Sequence, residues 1–117
     1  MNDQYGHQTG DTAICHISHL VEKMMREDDF LARWGEEFVL LLQNTDKNTA
    51  AKVAERVRTA IMNHPVLAKE QGEIALTVSL GVSTYPEDGT NADEILEAAD
   101  TALYRAKGNG RNCVMMA

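Results

Sequence analysis

From position 11 to 25 the apolar residues Ile14, Ile17, Leu20, Val21, Met24 and Met25 return every three or four positions, the spacing of a helix with one buried face. The period then changes. "DFLARW" and "EFVLLL" read as two short strands joined by a tight turn, an antiparallel hairpin. The unbroken apolar run 39–42 suits a central strand covered on both faces. A second helical stripe, Ala50, Val53, Ala54, Val57, Ala60 and Ile61, predicts a helix from Lys47 to Asn63, ended by His64-Pro65. "IALTVSLGVSTY", 74–85, is β-branched and runs into "PEDG", so it predicts a strand followed by a turn. A third helix opens at Asn91, with Glu94 in capping-box spacing, and should turn Ile95, Leu96, Ala99, Leu103 and Tyr104 inward. "GNG" stops it, and "NCVMM" follows as a final edge strand. The predicted order is α-β-β-α-β-α-β, an α+β sandwich with helices over one largely antiparallel sheet.

The opening does not suit a complete domain of this kind. A polar loop, "MNDQYGHQTGD", leads straight into the first helix, whereas a ferredoxin-like sheet begins with a strand and a helix before that point. The expectation is that the first β-α unit lies outside this chain.

Composition narrows the chemistry. A chain of 117 residues, 44% hydrophobic, fits one compact domain. Eleven basic against eighteen acidic residues give a formal net charge of −7, which repels a nucleic-acid backbone, so no nucleic-acid partner is expected. An anionic small molecule would need a divalent cation or local basic residues to offset that repulsion. Cys15 and Cys113 are isolated, without metal-ligand spacing, and no signal peptide is evident; two lone thiols point to a reducing cytoplasm. No apolar run approaches the ~20 residues that span a bilayer.

Three stretches carry candidate chemistry. Glu36 and Glu37 are adjacent, so on a strand they point to opposite faces, which reads equally as a solvated pair. At a hairpin turn they can also offer carboxylate oxygens to a Mg²⁺ bridging to phosphates, with Gly35 letting the backbone approach a ligand closely. In "NDQYGHQTGD", Asn2, Asp3, Gly6, Gly10 and Asp11 suit a loop and helix start, with Asp11 as an N-cap. An Asn and an Asp together can also read guanine, the carboxylate accepting from its N1–H and amino group. In "ALYRAKGNGRN", Lys107 and Arg111 flank a glycine-rich helix end. They complement the helix dipole or, alternatively, grip a triphosphate. His16 and His19 are three apart on the first helix, but no third metal ligand accompanies them.

In this order, "NDQYGHQTGD", "ARWGEEFVLLL", "TVSLGVSTYPEDG" and "AADTALYRAKGNGRN" resemble blocks of the GGDEF family, the diguanylate cyclases, and the resemblance spans nearly the whole chain. It implies an α+β fold, a ferredoxin-like, nucleotidyl-cyclase palm sandwich whose mainly antiparallel central sheet carries helices packed on it. Residues 1–117 would then be a single GGDEF domain fragment lacking the first β-α unit, roughly the C-terminal three quarters of the domain. The implied activity condenses two GTP into cyclic di-GMP and two pyrophosphates, with Mg²⁺ or Mn²⁺ as cofactor. By the same resemblance Asn2 and Asp11 read guanine, while Glu36 binds metal and helps deprotonate the attacking 3′-hydroxyl. Glu37 is the second acid of the metal site, Gly35 belongs to the substrate-binding turn, and Lys107 and Arg111 contact phosphates. Arg26 and Asp29 form an RxxD pattern at the family's offset from Arg33 and "GEEF". With Arg56 in "VAERVR" they resemble the family's inhibitory site for its product, cyclic di-GMP. Each domain of the family holds one GTP, so catalysis implies a homodimer across a two-fold axis. Family members commonly carry a regulatory or sensory domain upstream, which implies a missing N-terminal partner and a parent that upstream segments can anchor to a membrane.

Two departures from the family pattern change the expectation. The family has two glycines before its acidic pair and this chain has one, with flanking matches that put the loss inside the turn. The family also carries its first metal-binding aspartate and a phosphate-binding lysine before "ND", where this chain begins. The 117-residue chain is therefore expected to be inactive by itself, its activity belonging to a full-length parent. The rival expectation is a degenerate domain that senses cyclic di-GMP or GTP without turnover.

Overall fold

The computed structural model describes residues 6–34, 37–68 and 72–117 of the chain. Its elements run α1 (Gly6–Met24), β1 (Phe30–Trp34), β2 (Glu37–Leu41), α2 (Lys47–Asn63), β3 (Val66–Ala68), β4 (Gly72–Ile74), β5 (Leu80–Val82), α3 (Ala92–Gly108) and β6 (Val114–Met116). The fold is α+β, as expected. Two compact units carry it: residues up to Gln43 with Ile61–Leu76, and Asn44–Ala60 with Thr77–Ala117.

In the first unit, α1 packs against β3. Ala13, Val21, Ile61, Val66, Ile74 and Leu76 are its buried apolar residues. The helix begins at Gly6, so Asp11 lies more than a turn inside it and is not its N-cap. Continuous α-helical hydrogen bonding through "GHQTGD" removes the need for a cap there. β1 and β2 form the expected antiparallel hairpin, in the register Phe30↔Leu41 to Trp34↔Glu37. The central-strand expectation for 39–42 is not met among the described residues. β2 pairs only with β1, and Leu41 and Phe30, directly opposite each other, are 55% and 61% exposed.

The long strand expected over 74–85 divides. Ile74 closes a second antiparallel hairpin, β3–β4, with Val66, and only Leu80–Val82 re-enters a ladder. Burial still alternates through Ile74, Ala75, Leu76 and Thr77, so the chain keeps a period of two between the ladders.

The second unit holds most of α2 and a β-α-β crossover. "NCVMM" does supply a final strand, and β5 and β6 pair in parallel, Leu80↔Val114 to Val82↔Met116, within a sheet expected to be largely antiparallel. Parallel neighbours need a crossover of a dozen or more residues, and α3 supplies it. α3 approaches β5 so closely that a Cβ on Gly81 would stand 2.2 Å from the Ala99 carbonyl oxygen. On the same helix Ala102 and Ala106 are fully buried, whereas Leu96 and Tyr104, expected inward, are exposed. Tyr104 is two residues from the buried Ala102 and Ala106 alike, about 200° around the helix from each. On α2, which matches its predicted bounds, Ala50, Ala54 and Val57 are buried.

The helix starts follow capping chemistry. Asn91 accepts from the Glu94 N–H at 2.9 Å, as the capping-box spacing predicts. Glu94 reaches back to the N–H of Thr90, one residue beyond the cap, at 2.9 Å. Asp46 caps α2 by accepting from Thr49 N–H at 2.7 Å. No helix among the described residues is long and apolar enough to cross a membrane.

Candidate functional site

The β1–β2 hairpin sets the first part of the candidate site. With Trp34 paired to Glu37, only Gly35 and Glu36 connect the strands, and both lie outside the described residues. Glu37 opens β2 with its side chain exposed. Asn2 also lies outside the described residues, and Asp11 is exposed on α1 in the same unit as Glu37. Among the described residues no group of three His, Cys, Asp or Glu gathers to hold a metal ion. The donor chemistry nonetheless fits: Glu37 is a hard oxygen ligand, and Mg²⁺ is commonly held by one or two carboxylates together with phosphate oxygens. His16 bonds through Nε2 to the His64 carbonyl at 2.6 Å, a structural contact.

Ahead of the hairpin, Arg26 and Asp29 are brought together in a turn. The Asp29 N–H donates to the Arg26 carbonyl at 3.1 Å. The Asp29 carboxylate accepts from the Arg26 N–H at 2.9 Å and from its Nη2 at 3.4 Å. The same Nη2 donates to the Gln43 carbonyl at 2.9 Å, tying the turn to the segment after β2. The Arg26 N–H, assisted by the guanidinium, holds the Asp29 carboxyl below its usual range. Its side chain is 4% exposed while that of Arg26 is 59% exposed. The result is a fixed carboxylate beneath an accessible guanidinium. Arg56, expected with this pair, is exposed on α2 in the other unit.

The second unit carries the cationic segment. Lys107 occupies the last turn of α3, exposed. The Asn109 N–H then caps the helix on the Arg105 carbonyl at 2.9 Å, and the Arg111 N–H folds back to Ala106 O at 3.1 Å. Gly110, Arg111 and Asn112 follow with φ of 95°, 65° and 47°. Glycine takes such angles freely and asparagine tolerates them, but for arginine the left-handed region costs about 1–2 kcal/mol. Asn112 accepts from Arg58 Nη1 at 3.0 Å. The Arg58 Nε donates to both Glu55 carboxylate oxygens, at 3.0 and 3.1 Å, and its Nη2 donates to Glu55 Oε1. These contacts were not read from the sequence, although Glu55 and Arg58 stand at the i, i+3 spacing of a helical ion pair.

Chemically, the described groups comprise an exposed carboxylate at a hairpin mouth, an arginine–aspartate turn, and two exposed cations at a helix end. Comparison with known proteins gives these parts a context. The family model described as "Diguanylate cyclase, GGDEF domain" matches residues 1–113. The diguanylate cyclase DgcM of Escherichia coli K12 is 41% identical over 118 residues, covering 100% of this chain and 28% of DgcM. This chain thus spans less than a third of that curated relative. The structure of the active GGEEF domain of a diguanylate cyclase from Vibrio cholerae superposes with a TM-score of 0.86 at 35% identity, covering 98% of this chain and 72% of that one. The GGDEF domain of DgcB from Caulobacter crescentus, in complex with c-di-GMP, superposes with a TM-score of 0.87 at 30% identity, covering 98% and 68%.

Proposed function

The chain belongs to the GGDEF family of diguanylate cyclase domains, and from that premise we propose that, within its full-length parent, it condenses two GTP into one cyclic di-GMP. The 3′-hydroxyl of one GTP attacks the α-phosphorus of the other, the α–β anhydride bond breaks, and pyrophosphate leaves with the bonding electrons. The reciprocal attack closes the ring and releases a second pyrophosphate. Such phosphoryl transfer asks a protein for charge neutralisation and in-line positioning rather than covalent chemistry. Magnesium or manganese, when bound, neutralises phosphate charge and acidifies the attacking hydroxyl. Glu36 and Glu37 are the residues to hold it, and Glu36 takes the hydroxyl proton. Lys107 and Arg111 bear on the phosphates, with the bidentate guanidinium suited to paired oxygens. Asn2 and Asp11 read the guanine edge, and Gly35 lets the backbone approach the phosphates. One GTP per domain requires two copies facing across a two-fold axis, and an upstream regulatory domain brings them together.

The observation that carries this reading is the hairpin register, which sets Glu37 at the first residue of β2 beside the turn. Its test is Glu37→Gln in the intact protein, read by pyrophosphate release from GTP and Mg²⁺ with malachite green after pyrophosphatase. The substitution keeps size and removes charge, and release should fall by about 10²-fold or more. Release equal to the parent's would remove Glu37 from the metal site.

A second reading is favoured by two specific features: the Arg26–Asp29 turn, and a two-residue connection one glycine short of the family signature. In it the domain senses cyclic di-GMP through Arg26, Asp29 and Arg56 without turnover. Calorimetric binding of cyclic di-GMP that is lost in Arg26→Ala, with no pyrophosphate released by the parent, selects the sensor.

A further inference from the structure

We propose that Arg58 is a positioning residue for the phosphate-contacting segment: anchored by Glu55 and bonded to Asn112, it locks the left-handed turn that presents Arg111. This inference rests on the reading of Arg111 as a contact for GTP phosphates.

Gly110, Arg111 and Asn112 are successive residues with positive φ. Such a run does not sustain itself in a chain of L-residues and persists only where its surroundings over-determine it. Two anchors do so here. The Arg111 N–H is held by the Ala106 carbonyl at the end of α3. The Asn112 side chain is held by Arg58 on α2, 54 positions earlier in the chain.

The second anchor is rigid for a chemical reason. The Arg58 side chain is 18% exposed, and the Nε–Nη2 edge of its guanidinium is engaged by the Glu55 carboxylate. A guanidinium is planar, so fixing that edge also fixes the direction of the Nη1 donor that Asn112 receives. The pairing holds the Glu55 carboxyl below its usual range and Arg58 above it, so both stay charged. Lysine at this position keeps the charge but cannot serve a carboxylate and an amide with a fixed fork. The turn also retains an arginine where glycine would relax the backbone, which favours a role for that side chain over stability alone.

The test measures the calorimetric Kd of α,β-methylene-GTP with Mg²⁺ for the intact protein and four variants: Arg58→Lys, Asn112→Gly, Arg111→Ala, and the Arg58→Lys/Arg111→Ala double. Arg58→Lys and Asn112→Gly should each weaken binding by about tenfold, and Arg111→Ala at least as much. The double variant should bind no more weakly than Arg111→Ala alone, because nothing remains for Arg58 to position. Losses that add, or an Arg58→Lys variant that melts lower yet binds as the parent does, overturn the clamp and leave the role of Arg111 standing. An Arg111→Ala variant that binds as the parent does overturns the phosphate reading and the clamp with it.

Discussion

Arg111 holds a backbone angle that its own side chain disfavours, at φ 65°, in a turn flanked by glycine and asparagine. Strain of this kind, roughly 1–2 kcal/mol, is retained where the side chain has work to do. The consequence is an opposition between stability and binding. Arg111→Gly should raise the melting temperature, by an amount equivalent to about 0.5–1 kcal/mol after glycine's larger unfolded entropy is deducted. The same variant should lose affinity for the GTP analogue. A lowered melting temperature with unchanged affinity would show that the left-handed arginine serves the fold. Asp29 illustrates the complementary case: its carboxylate is fixed by Arg26, so the RxxD spacing legible in the sequence corresponds to a real turn. Asp11 was misjudged as a cap because α1 extends back to Gly6 through residues that ordinarily read as a loop.

At the scale of elements, carboxylates at helix starts and turns couple the fold to pH. Asp46 accepts from the Thr49 N–H, Asp29 from the Arg26 N–H and Glu94 from the Thr90 N–H, and each bond favours the charged form. Their folded pKa values therefore lie below the unfolded ones. The stabilisation is present above about pH 4–5 and is lost as pH falls through the folded values. Melting temperature followed by circular dichroism should stay level from neutral pH to roughly pH 5 and decline below it. Asp46→Asn still caps the helix but no longer titrates, so its acid decline should be shallower. An identical decline would remove Asp46 from the account. Legibility differed among elements for physical reasons. α2 was readable to the residue because its alanine and valine stripe is long and Pro65 ends it. β3 and β4 were not, because three-residue strands carry no periodicity. The face of α3 was misread at Leu96 and Tyr104 because the helix backbone lies against Gly81 at Ala99 and Leu103, a tertiary constraint invisible in local pattern.

For the whole molecule, a net charge of −7 must accommodate the polyanionic substrate of the proposed reaction. On the proposed reading the cations that offset this are local, Lys107 and Arg111 at the end of α3. The blocks carrying these residues were legible because their order along the chain resembles that of the GGDEF family, whose model matches residues 1–113. Arg58 was not, because its role depends on Asn112, far along the chain. On the proposed reading each domain holds one GTP, so turnover belongs to two copies and is judged by what is made as well as by what is bound. Its most direct measurement is mass-spectrometric identification of the nucleotide formed when the intact protein consumes GTP with Mg²⁺, together with the pyrophosphate released. Cyclic di-GMP, accompanied by two pyrophosphates for each molecule formed, is the result expected. GTP left unconsumed, or pyrophosphate released with only a linear dinucleotide or a mononucleotide as product, would contradict it.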